Sequence, residues 1–71
     1  MTTLPEPGFL TAGVVLYRED KLDEAEYSFK KLLHHIPDHA AANFMVGLIY
    51  LRKGHLKEGI ELMEKGFKLC P

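Results

Sequence analysis

One cysteine, Cys70, and no tryptophan occur in the sequence, so neither an intramolecular disulfide nor a metal site built on paired cysteines can staple the chain. Charge of one sign is also lacking. Nine Lys and Arg stand against ten Asp and Glu, a formal net charge of −1 with histidine neutral, and this balance excludes the basic surface that nucleic-acid binding requires. Long apolar runs are missing: Val14 to Tyr17 and Phe44 to Leu51 are the longest, well short of the ~20 residues of a membrane span. The opening Met1-Thr2-Thr3-Leu4-Pro5-Glu6-Pro7 has no cationic stretch ahead of an apolar one and does not read as a secretory signal. A cytoplasmic, reducing setting is the expectation, with neither membrane nor nucleic acid as a partner. No Gly-rich phosphate loop, G-x-S-x-G or H-E-x-x-H occurs, so no enzymatic activity and no cofactor are expected.

What remains is a chain of 71 residues, 46% hydrophobic and 27% charged, the make-up of one small soluble domain. A chain this short buries only a modest share of its surface and usually needs a staple or an associated copy.

The organising feature is a recurrence at 34 residues: Gly13 and Gly47, Arg18 and Arg52, Leu22 and Leu56, Glu24 and Glu58, Lys31 and Lys65, Pro37 and Pro71. Chemistry is kept at Phe29 with Met63, Val15 with Ile49 and Ala12 with Val46. Within each unit, helical spacing runs twice. Phe9, Ala12, Gly13 and Leu16 are followed by Leu22, Ala25, Phe29, Leu32 and Leu33; Val46, Gly47 and Tyr50 are followed by Leu56, Ile60, Met63 and Phe67. Asp20-Lys21 and Gly54-His55 make the turns, and Pro37 and Pro71 close the second helix of each unit. Helices are expected over 8–19, 22–35, 39–53 and 56–69.

These residues resemble the tetratricopeptide repeat (TPR) family, whose 34-residue pattern is W-x2-L-G-x2-Y, then A-x3-F, then P. Phe9, Ala12, Gly13, Leu16, Ala25, Phe29 and Pro37 match in the first unit; Val46, Gly47, Tyr50, Met63 and Pro71 match in the second. Asn43 departs at the tryptophan position, Asp20 at the turn glycine, and Gly59 and Gly66 at small-residue positions. Each helical glycine costs ~1 kcal/mol relative to alanine, so the last helix is expected to be the weakest. The resemblance implies an all-α fold of four antiparallel helices, a fragment of a right-handed α-solenoid. Its parts are a lead-in at 1–5, a first repeat at 6–37 and a second at 38–71.

The second helices are amphipathic, with Glu26–Lys30, Glu61–Lys65 and Glu64–Lys68 as i, i+4 pairs on a solvated side. The first helices are apolar almost all round. From Ala40 to Leu51 only Asn43 is neither apolar nor glycine, and such a helix is normally buried on every side. In TPR proteins the first helices line a concave, peptide-binding surface. That geometry would place Leu10, Val14, Tyr17, Phe44, Met45, Leu48 and Leu51 in a groove, with Arg18 and Arg52 at its rim.

A groove of this kind needs a cover, and a soluble solenoid usually needs at least three repeats and a polar cap. The expectation is therefore a protein-interaction module that associates with a protein or peptide, foremost with its own copies as a dimer or higher homo-oligomer. Two alternatives stay open: a docking segment at the N-terminal side of a larger enzyme, and a secretion-type chaperone holding a hydrophobic segment. The carboxylate clamp of chaperone-tail receptors is not expected, because Leu10, Val14, Met45 and Leu48 occupy comparable places.

The histidines invite a metal, but Pro37 interrupts the helix that would align His35 with His39. His34, His35, His39 and His55 read as helix-end residues, and no metal site is expected.

Overall fold

Helix α1 spans Pro5–Arg18, α2 Leu22–His35, α3 Ala40–Arg52 and α4 Leu56–Leu69 in the computed structural model, which describes residues 5–70. No strand occurs among the described residues, so the all-α expectation holds. Helix α1 begins three residues earlier than the spacing suggested, at Pro5, a residue whose fixed φ suits the first helical position. Of the lead-in at 1–5, only Pro5 lies within the described residues, and Pro71 lies outside them.

Two turns of one design fold each first helix back on its second. After α1, Lys21 N–H donates to the Leu16 carbonyl (2.9 Å) and Asp20 N–H to that of Tyr17 (3.0 Å). After α3, His55 N–H donates to Tyr50 (2.8 Å) and Gly54 N–H to Leu51 (3.0 Å). This is the Schellman ending, which needs a left-handed residue at its corner. Asp20 has φ 66° and Gly54 φ 91°. Aspartate thus fills a glycine position, which its short polar side chain tolerates better than most.

The connection between α2 and α3 is tied down by polar side chains. His39 caps α3, its Nδ1 accepting from Ala42 N–H (3.1 Å). Asn43, only 2% exposed, donates through Nδ2 to the carbonyls of Pro37 (3.2 Å) and His39 (2.9 Å). The residue that departs from the tryptophan of the repeat pattern therefore ties the inter-repeat loop to the helix behind it.

The core lies between the two repeats. Ala25, Phe29 and Leu32 of α2 and Ala42, Val46 and Ile49 of α3, each set at i, i+4, i+7, form one buried cluster. Burying a side chain such as Phe29, Leu32 or Ile49 contributes about 1.5–3 kcal/mol. Consecutive helices contact one another throughout: α1 with α2, α2 with α3, and α3 with α4. Each hairpin closes over a glycine. A Cβ on Gly13 would stand 2.6 Å from the Phe29 ring, and one on Gly47 2.7 Å from Met63 Cγ, so equivalent glycines accept equivalent side chains 34 residues apart.

Candidate functional site

Among the nine residues expected on the interaction face, the seven apolar ones are all half-buried and Arg18 and Arg52 are exposed. Leu10, Val14, Tyr17 and Met45 pack against the edge of the core. Phe44 leans on α4: its ring meets that of Phe67 edge-on at 5.2 Å, and its Cβ lies beside Gly66. Leu51 likewise lies against Gly59. Phe44 and Leu51 thus spend part of their surface inside their own hairpin, which their neighbours in sequence did not reveal.

Tyr17 and Arg52 are brought together across the two repeats. The Arg52 guanidinium stands 5.4 Å from the centre of the Tyr17 ring and donates to Asp20 Oδ1. The Tyr17 hydroxyl and the Asp20 charge raise the Arg52 pKa. One rim residue is therefore held in place while pairing with its own chain.

A second polar cluster fastens α2 to the end of α3. Lys53 Nζ reaches Asp23 and Glu26, the latter at 2.8 Å, and Lys30 Nζ reaches Glu26 at 2.7 Å. Lys30 also lies 5.4 Å from the centre of the Tyr50 ring. Burial works against the Glu26 carboxylate, but hydrogen bonds from Lys30 and Lys53 outweigh it and hold the group below its ordinary pKa. Lys30 and Lys53 are raised in turn, each first by its carboxylate hydrogen bonds. Every member of this cluster has a partner of opposite charge, the arrangement of a structural clasp rather than of a reacting group.

The histidines are occupied with packing and capping. His35 stacks on Phe9 with ring centres 5.9 Å apart, His55 meets Tyr50 edge-on at 6.0 Å, and His39 caps α3. Among the described residues no three His, Cys, Asp or Glu side chains converge on a point that could hold a metal. Among the described residues no helix is long and apolar enough to cross a membrane.

The most exposed large apolar side chains are not on the expected face. Leu56 (61%), Ile60 (50%) and Phe67 (66%) project from α4, and Val15 (44%) from α1. An open apolar cleft of about 540 Å³ also runs along α1 and α2 past Phe9, Ala12, Leu16 and Tyr27. Reading each helix for its own hydrophobicity missed these positions. Comparing residues 34 apart for what covers them would have found them.

No protein-family model, curated protein or solved structure matches the chain.

Proposed function

We propose that this chain is a non-enzymatic protein-interaction module built from two TPR-type helix hairpins, self-associating and binding through the face lined by its first helices. The observation that carries this reading is the recurrence of structure with sequence at 34 residues: the same Schellman corner at Asp20 and Gly54, and the same glycine contact at Gly13–Phe29 and Gly47–Met63. Repeats of this kind form surfaces rather than reaction centres, and the charged cluster around Glu26 is already neutralised internally. On the proposed face, Leu10, Val14, Tyr17 and Leu48 contribute apolar area that association finishes burying, with Arg18 and Arg52 as rim contacts. Met45, Phe44 and Leu51 support it from below.

Sedimentation equilibrium over micromolar to millimolar concentration tests this. The wild-type mass should rise above 8.1 kDa with concentration, and Leu48→Glu should weaken the association while circular dichroism stays helical. A wild-type chain that stays folded and monomeric refutes self-association; association unchanged in Leu48→Glu refutes this face.

A further inference from the structure

The interface between the two repeats is an internal standard for the surfaces at the two ends of the molecule. On its incoming side, α3 supplies Ala42, Val46 and Ile49, of which Ile49 has 0% exposure. On its outgoing side, the rim of α2 supplies Leu22 and Leu33, partly buried against the core, and Glu26, clasped by Lys53. The counterparts of the fully buried Ala25, Phe29 and Leu32 are Gly59, Met63 and Gly66, which close on α3 within their own hairpin. Residues 34 positions away occupy the same places in the other repeat. The incoming set of the first repeat is Gly8, Ala12 and Val15, all exposed. The outgoing set of the second is Leu56, Ile60 and Phe67, exposed by half or more. Each end thus carries one half of an interface whose assembled form is seen once, complete, inside the chain.

We propose that copies of this chain stack head to tail, the α4 face of one receiving the α1 face of the next in the way that α2 receives α3. This rests on the repeat reading of the previous subsection but uses a different surface. Continuity with the internal interface gives the geometry. Two further features single out a second copy as the occupant.

The first is charge. Inside the chain Lys53 of the incoming helix pairs with Asp23 of the outgoing one. The equivalent positions between copies hold Glu19 and Lys57, the same pair with its signs exchanged on both sides. A partner unrelated to this chain would not require both changes together.

The second is volume and polarity. The incoming side is smaller at the end than inside, with Ala12 for Val46 and Val15 for Ile49. The outgoing side compensates, with Phe67 for Leu33 and apolar Ile60 for Glu26. The clasp of Lys53 on Glu26 has no counterpart, since Glu19 and Ile60 stand at those positions.

A heterologous contact of this kind leaves one unpaired face at each end of a dimer, so stacking continues past two copies until a ring closes or concentration limits it. The test is complementation in the full 71-residue chain carrying Leu48→Glu, which removes the face proposed above from the outcome. The Leu48→Glu chain should grow past twice 8.1 kDa as concentration rises. Adding Val15→Glu blocks one end and adding Ile60→Glu the other, so each double variant should be monomeric alone. An equimolar mixture of the two should form a 1:1 dimer and nothing larger, because one intact face of each kind remains. Both residues are exposed, and circular dichroism checks that the variants stay helical.

In the Leu48→Glu chain, Lys57→Glu should lower the association constant about two- to fivefold, and adding Glu19→Lys should restore it. A Leu48→Glu chain that stays monomeric at millimolar concentration overturns the proposal. So does a mixture that fails to dimerise, or a double variant that still grows. Failure of Leu48→Glu to affect wild-type association overturns only the first-helix face and leaves stacking standing.

Discussion

Gly59→Ala sets helix propensity against packing and gives the two opposite signs. Propensity alone favours the substitution by ~1 kcal/mol, since Gly59 lies inside α4. Packing opposes it. A Cβ at Gly59 would fall 2.8 Å from the Gly47 carbonyl oxygen and 2.9 Å from Leu51 Cγ, whereas ordinary contacts begin at 3.4 Å. Leu51 can move, but the Gly47 carbonyl belongs to the backbone of α3 and moves only with the helix. The helices must part by about 0.6 Å, a gap that already forfeits a quarter or more of each contact's attraction along the crossing. Overpacking of this kind costs ~1–3 kcal/mol. The net expectation is a destabilisation of about 1 kcal/mol, read as a fall in Tm of roughly 4–8 °C for a domain of this size. Thermal and urea unfolding followed by circular dichroism measure it. Gly8→Ala, measured at concentrations where the chain is monomeric, is the control: nothing lies within 4 Å of a Cβ there, so propensity acts alone and stability should rise by up to ~1 kcal/mol. A Gly59→Ala chain at least as stable as wild type refutes the close α3–α4 approach.

Two other substitutions test the polar joints. Asn43→Asp replaces a buried donor with a carboxylate facing the carbonyls of Pro37 and His39, and should destabilise by about 3 kcal/mol at pH 7, more than Asn43→Ala does. Lowering the pH should narrow the difference as the carboxyl protonates, which urea titrations at two pH values will show. For Glu26, the folded-state pKa lies below the ordinary 4.5, so the unfolded chain takes up its proton first on acidification. The contribution of Glu26 is complete at neutral pH and is lost as pH falls below about 4.5. Glu26→Gln should cost about 1 kcal/mol at pH 7 and flatten the fall in stability between roughly pH 5 and pH 3; an unchanged acid limb would refute the clasp.

Much of this fold is legible in the residues because local and repeat signals agree. The boundaries of α2 and α4 follow from Leu22 after the Asp20-Lys21 turn, Pro37 in the loop after α2 and Leu56 after Gly54-His55, all tied to short-range geometry. The turn at Asp20 was readable from the glycine it replaces, and its positive φ follows. Asn43 was visible only as a departure. Its role depends on where the Pro37 carbonyl points, which no spacing encodes. Gly59 and Gly66 carried a propensity cost in the sequence, while the compensating closeness of Gly47 and Ala40 is a property of two helices together.

The interaction surface was the least legible part, for a reason that concerns neighbours rather than residues. Val15 and Ile49 are both β-branched, both lie on first helices and both fit a helical apolar pattern, yet one is 44% exposed and the other fully buried. The difference is that Ile49 is covered by its neighbours in the core and, among the described residues, Val15 is left 44% exposed. Hydrophobicity summed around a helix cannot carry that distinction, so it pointed to Phe44 and Leu51, which α4 already partly covers. Comparing equivalent positions does carry it. Where one member of a pair 34 apart is buried by the other repeat and its apolar counterpart is exposed, the exposed member has its covering surface specified by the interior of the same molecule. Val15 and Phe67 satisfy this at opposite ends. In the stacking proposed above, these two are the halves of one interface, and the reversal of Lys53–Asp23 to Glu19–Lys57 is the change by which a second copy would be recognised there.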